Sequence, residues 1–182
     1  MKNIVNHLDE NEKTAQLAEA LATAYGANPA AAREIGDAAA IHDIGKCKIP
    51  GHILNSPNRL TPAEFEVLKT HTILGAEILA DLRGHFGKMA REMCEFHHEK
   101  FNGKGYWGRY AGQLPYYVSI AAISDVYVAL TSERLYKQAW PHHKAMEYIK
   151  NQSGRQFCPM LVDIFVSVMA DISKEGNAFG KK

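Results

Sequence analysis

Apolar residues recur at helical spacing along most of the chain. Leu17, Ala18, Leu21, Ala22 and Tyr25 share one stripe between residues 9 and 25, and Gly26 stops it, which predicts a first helix. Asn28 followed by Pro29 is a cap and first-turn pair, and it opens a second helix expected to run through Ile44 and end at Gly45. A loop punctuated by Pro50, Gly51 and Pro57 comes next. Thr61-Pro62-Ala63-Glu64 has the form of a capping box with proline at the first helical position, so a helix is expected over about 62–82. Gly84 and Gly87 break that pattern, and another helix is expected over about 88–98.

Residues 102–115 form a glycine-rich loop that ends at Pro115. The segment 116–130 is almost wholly apolar. Its Val, Ile and Tyr content would suit a strand, but its length and the alanines at 121, 122 and 129 favour a buried helix. Two more helices, over about 141–152 and 159–173, complete the pattern. With no internal repeat and no long linker, the reading is an all-α, single-domain helical bundle over 1–182 with its core at about 10–173.

Composition narrows the class. A chain of 182 residues, 46% apolar and 23% charged, buries a core of ordinary size and is not a disordered, collagen-like or disulfide-scaffold protein. The formal charge of +1 argues against bulk nucleic-acid binding and leaves room for a local basic pocket. Cys47, Cys94 and Cys158 lie far apart and are expected to be reduced, buried small hydrophobes. The opening MKNIVNHLDENEK has no apolar core of signal-peptide length, and no apolar run reaches the ~20 residues of a bilayer span. A soluble, cytoplasmic protein with no membrane contact is therefore the expectation. The unusual feature is nine histidines.

Four of them fall where chemistry is possible. Ile35, Ala38, Ala39 and His42 are spaced as one buried stripe, so His42 is expected to point inward with Asp43 on the adjacent face. Leu68, His71, Gly75 and Ile78 repeat the pattern, and Gly75 leaves room for a close neighbour. His97 and His98 close a helix; adjacent positions project about 100° apart, so both reach one centre only by flanking it. Asp125 is the single charged residue from Tyr116 to Leu130 and is surrounded by alanines. Each of these has an ordinary structural reading alone. Together, imidazoles and carboxylates without a thiolate suit iron, manganese or zinc. Two ions ~4 Å apart clamp a phosphoryl group and lower the pKa of a shared water, which makes phosphate-ester hydrolysis the best-fitting reaction. Lys46 is placed to meet a phosphate oxygen or to be a solvated helix-end lysine. Arg134 and Lys137 are exposed charges, or a second phosphate grip if their turn faces the same cavity.

Ala-Ile-His-Asp-Ile-Gly-Lys (40–46), with the Ile-Pro and Ile-Leu-Asn that follow, resembles the HD phosphohydrolase superfamily. Lys-Thr-His-Thr-Ile-Leu-Gly-Ala-Glu-Ile-Leu (69–79), His-His-Glu-Lys-Phe-Asn-Gly-Lys-Gly-Tyr (97–106), Ser-Asp-Val-Tyr-Val-Ala-Leu-Thr-Ser-Glu-Arg (124–134) and Phe-Cys-Pro-Met-Leu-Val-Asp-Ile-Phe (157–165) resemble its HD-GYP branch. The resemblance implies an all-helical, metal-dependent phosphodiesterase acting on a cyclic dinucleotide, typically cyclic di-GMP, by metal-activated hydroxide attack on phosphorus. It implies His42, Asp43, His71, His97, His98 and Asp125 as metal ligands, with Asp43 bridging two divalent ions. Glu10, or the nearby Glu12, falls where some members hold a third. Lys46 would contact the scissile phosphate, Arg134 and Lys137 the other phosphate or a guanine, and Tyr106 would line the nucleotide site.

This chain departs from the pattern in the signature loop, where Gly105-Tyr106-Trp107 replaces Gly-Tyr-Pro and Asn102 replaces an Asp. Arg109-Tyr110 replaces a Gly–Leu pair, and Val128 replaces a carboxylate. The departures keep two further readings open. One is a binding or interaction module without turnover; the other is a phosphohydrolase for a different nucleotide. Trp107 either stacks on a base or fills the pocket.

Overall fold

Helix α1 (Lys2–Tyr25) opens the chain, and its stripe of Leu17, Ala18, Leu21 and Ala22 is fully buried. That stripe packs on α2 (Pro29–Ala40), on α7 (Tyr116–Thr131) and on α9 (Pro159–Lys174). Gly26, at φ +108°, makes the turn between α1 and α2. Asn28 then caps α2, its side chain accepting from the Ala31 N–H at 3.0 Å. The structure is a computed structural model that describes residues 2–133 and 138–174. Among them there is no strand, and the all-α bundle read from the sequence is what is observed.

The helix ends differ from expectation in informative ways. Helix α2 stops at Ala40 rather than Ile44, and the chain runs through a turn into a 3₁₀ segment at Ile44–Lys48. The reason lies at Gly45: a Cβ there would sit 1.9 Å from the His71 carbonyl oxygen and 2.4 Å from the Gly75 nitrogen. The turn is pressed against backbone, and only glycine permits that approach. A short helix α3 (Gly51–Leu54) follows.

The single helix expected over 62–82 is two, α4 (Pro62–Lys69) and α5 (His71–Ile78). Its capping box is present, with Thr61 and Glu64 bonded reciprocally. The break at Thr70 has a local cause. Thr70 Oγ1 donates to the Val67 carbonyl at 2.7 Å and His71 Nδ1 to the Leu68 carbonyl at 2.6 Å, so side chains take acceptors that a continuing helix would use. The predicted face is corrected too: Ile78 is 38% exposed, and Leu79 occupies the buried place.

Helix α6 spans Gly84–Phe96, starting earlier than predicted and ending before His97. Helix α7 confirms the buried-helix reading of 116–130, with Ile120, Ala121 and Ile123 fully buried. Helix α8 (His142–Asn151) and α9 then close on α7 and α1. Of the three cysteines Cys94 is buried as expected, whereas Cys47 is exposed and Cys158 intermediate, contrary to expectation. Among the described residues no helix is long and apolar enough to cross a membrane.

Candidate metal centre

Three histidines stand just beyond three helix ends and are held by one repeated device. His42 Nδ1 donates to the Ala39 carbonyl at 2.6 Å, His71 Nδ1 to Leu68 at 2.6 Å, and His97 Nδ1 to Cys94 at 3.0 Å and Met93 at 2.9 Å. These carbonyls belong to the last turns of α2, α4 and α6, where helical hydrogen bonding runs out. A carbonyl can only accept, so each Nδ1 carries the proton and each Nε2 is free to aim elsewhere. The free nitrogens converge. His71 Nε2 and His97 Nε2 are 3.4 Å apart, and the His98 ring lies 4.0 Å from the His97 ring and 5.3 Å from the His71 ring.

Asp43 joins them from the turn that Gly45 presses onto α5. Its Oδ1 lies 3.2 Å from His71 Nε2 and 3.6 Å from His97 Nε2. Its Oδ2 lies 3.4 Å from His42 Nε2 and also meets the Lys46 ammonium. From α7, Asp125 Oδ1 comes to 3.6 Å from His42 Nε2. Donor atoms thus gather in two overlapping groups, His71 with His97 and His98, and His42 with Asp43 and His97, each within 4.8 Å. Asp43 presents one oxygen toward each group.

The donors fit a metal on grounds of their own chemistry. Two ligand atoms each about 2.1 Å from one ion stand roughly 3.0–3.4 Å apart; Asp43 lies 3.2 Å from His71 Nε2 and 3.4 Å from His42 Nε2, within that range, and 3.6 Å from His97 Nε2, just beyond it. Asp43 Oδ1 and His42 Nε2 are buried without a hydrogen-bond partner. The lone pairs of Asp43 Oδ1, His71 Nε2 and His97 Nε2 face one another, and acceptors placed in this way call for a cation between them.

The protonation states agree. Burial disfavours a charged His42, yet Asp43 and Asp125 outweigh that and raise its pKa to about 10. Burial works the other way on Asp43 and Asp125, but His42, with Lys46 for Asp43, holds both carboxyls well below the usual range. His97 is pushed down by burial and by the neighbouring His98 and His42, and burial brings His98 down to about 4. Among the groups of the centre, Asp43 and Asp125 are therefore carboxylates, His97 and His98 are neutral imidazoles, and His42 is an imidazolium standing where a cation is wanted.

The signature loop forms one wall. Tyr106 packs on His98 with ring centroids 4.4 Å apart, and burial pushes its hydroxyl up to about 12. Glu99, itself buried, accepts the Trp107 N–H at 2.6 Å and the Arg109 N–H at 2.7 Å, one on each carboxylate oxygen. Trp107 Nε1 donates to Thr72 Oγ1 at 3.1 Å. The Lys69 ammonium sits 5.8–5.9 Å from the rings of Phe65, Tyr106 and Trp107.

Of the residues singled out from the sequence, His42, Asp43, His71, His97, His98 and Asp125 come together, with Lys46 and Tyr106 at their edge. Glu10 is buried on α1 while Glu12 is exposed, and neither belongs to the two donor groups. Arg134 and Lys137 lie outside the described residues. Sequence reasoning passed over Glu99, Thr72 and Lys69. Their one signal was adjacency to the histidines, since each stands within two residues of His98 or His71. Of the other histidines, His142 accompanies Tyr127, whose hydroxyl lies 2.8 Å from its Nδ1, and His85 is exposed near Glu34.

A family model described as HD domain matches residues 3–161. Among characterised proteins, the chain is 36% identical over 156 residues to a 3'3'-cGAMP-specific phosphodiesterase of Vibrio cholerae, covering 85% of this chain and 30% of that protein. It is 40% identical over 136 residues to a cyclic di-GMP phosphodiesterase of the same organism, covering 71% of this chain and 28% of that protein. The chain thus spans under a third of the length of these two curated relatives. Among solved structures, an HDG"Y"P protein from Bdellovibrio bacteriovorus superposes with a TM-score of 0.70 at 16% identity, over 90% of this chain and 52% of that one, a likeness of fold.

Proposed function

The chain belongs to the HD-domain family, of the HD-GYP type that its motifs resemble, and from that premise we propose that it is a metal-dependent phosphodiesterase hydrolysing a cyclic dinucleotide, cyclic di-GMP foremost. One observation carries the reading: a half-buried Asp43 turns its two oxygens toward two sets of imidazole nitrogens, and on the His71–His97 side acceptors face acceptors. The names of the relatives support the substrate class.

In this reading His42, Asp43, His71, His97, His98 and Asp125 hold two divalent ions, iron or manganese first and zinc next. Asp43 would be shared between them, and Glu10 is the candidate for a third. Ions held there would supply an activated water as nucleophile and charge stabilisation on phosphorus. The chain's own groups do the rest. The backbone carbonyls behind His42, His71 and His97 fix ring orientation and hold the proton on Nδ1. Lys46, paired with Asp43 in this structure, turns its ammonium to a non-bridging oxygen of the scissile phosphate. Tyr106 lines the nucleotide side, and Arg134 and Lys137 take the second phosphate or a guanine. The site is assigned to the cytoplasm, with a cyclic dinucleotide as its partner.

The test is anaerobic preparation, metal content per chain, and chromatography of products from cyclic di-GMP. Two or more ions and a linear dinucleotide or mononucleotide are expected. His42→Ala and Asp125→Ala should abolish hydrolysis while circular dichroism stays helical. Full activity in either variant would refute the assignment. Tight binding of cyclic di-GMP without product under iron or manganese would replace it with the binding-module reading.

A further inference from the structure

Trp107 is one of the positions at which the signature loop departs from the family pattern, and the structure places it beside the metal centre by three independent ties. Its backbone N–H goes to Glu99, next in sequence to His98. Its indole N–H goes to Thr72, next to His71. Its ring stands near the Lys69 ammonium, which is itself held by Glu66 at 2.7 Å. Charge over an aromatic face stabilises such an arrangement. After all this packing Trp107 is still 40% exposed, as is Phe65 at 41% on the other side of Lys69.

The geometry points to Trp107 as the stacking platform for a nucleobase of the cyclic dinucleotide, one that adds affinity without reading which base it is. This rests on the substrate class proposed above. The inference comes from what the indole has left to offer. Its only hydrogen-bond donor is committed to Thr72 Oγ1, so no polar edge remains to distinguish guanine from adenine. What remains exposed is aromatic surface, and every base has a face that stacks on it. The side chain is also fixed before the ligand arrives, tied at the indole nitrogen and braced by Lys69, so little rotamer freedom is lost on binding. Tyr106, one residue earlier, packs on His98 and leads from the histidine cluster to this platform.

The experiment is equilibrium binding of cyclic di-GMP and of cyclic di-AMP to the metal-loaded protein, by calorimetry, for the wild type and for Trp107→Ala, Trp107→Phe and Thr72→Val. Trp107→Ala should weaken both ligands by about 10- to 100-fold, and by the same factor within about threefold. Trp107→Phe should recover most of that loss, and Thr72→Val should lose less than Trp107→Ala. Metal content of each variant is measured alongside. A loss confined to one base would overturn the inference, since the indole would then be reading base identity. So would unchanged binding in Trp107→Ala, a Thr72→Val loss equal to that of Trp107→Ala, or a fall in metal content, each of which assigns Trp107 a merely structural role. If the wild type binds neither ligand while holding its ions, the proposed substrate class itself falls, and the platform with it.

Discussion

Replacing Gly45 by alanine tests whether the metal centre depends on the close approach of the His-Asp turn to α5. A Cβ at this position would stand 1.9 Å from the His71 carbonyl oxygen, 2.4 Å from the Gly75 nitrogen and 2.9 Å from the Gly75 Cα. All three are backbone atoms, so no side chain can swing away. Comfortable contacts with carbon lie near roughly 3.5 Å, so the turn and α5 must part by more than about 1 Å. Overpacking of this kind costs about 1–3 kcal/mol. At about 2–4 °C per kcal/mol for a chain of this size, the melting temperature should fall by roughly 2–12 °C. The same displacement separates Asp43 Oδ1 from His71 Nε2, now 3.2 Å apart and matched to one ion. A misplacement of about 1 Å commonly costs a reaction about 100-fold. The assay is thermal denaturation, metal content and hydrolysis of cyclic di-GMP, with Gly51→Ala as control because its nearest neighbour would be the Asn55 side chain at 3.9 Å. A Gly45→Ala protein with unchanged melting, full metal and full turnover would refute the reasoning.

Two further outcomes follow from the same geometry. In the metal-free protein His42 keeps its proton up to about pH 10, against an ordinary value of 6.5, whereas His97 and His98 are held neutral. Metal uptake near pH 8 should therefore release about one proton, and apparent affinity should fall about tenfold for each pH unit below 10; calorimetry in buffers of different ionisation enthalpy reads the proton count, and a value near zero would contradict it. Glu99→Gln leaves one of the two backbone N–H groups at Trp107 and Arg109 without an acceptor, at a cost of about 1–3 kcal/mol; amide exchange over residues 102–110 should quicken, and unchanged protection would show that Glu99 does not hold the loop.

Much of this was legible in order along the chain. The helices were readable because each apolar stripe repeats within a few residues and each start carries its own signal, as at Asn28-Pro29 and Thr61-Pro62-Ala63-Glu64. The helix ends at the histidines were not. His42 was placed on a helix that in fact stops at Ala40, and His71 inside one that breaks at Thr70. In both places a side chain takes a carbonyl from the preceding turn, and that competition depends on where the imidazole must point. Ile78 failed for the same reason, since the break rotates the face that α5 presents.

The sequence by itself determined the helical class, the donor types and the family, because local periodicity and ordered motifs are properties of neighbouring residues. The resemblance also carried the shared ligand set and a bridging Asp43 as expectations, but only the tertiary structure decided which oxygen of Asp43 faces which imidazoles and that Glu99, Thr72 and Lys69 serve the loop beside them. The physical reason is that a buried carboxylate or a lone pair acquires its meaning from what faces it. Those partners arrive only when the turn at Gly45 closes against α5 and α7 delivers Asp125.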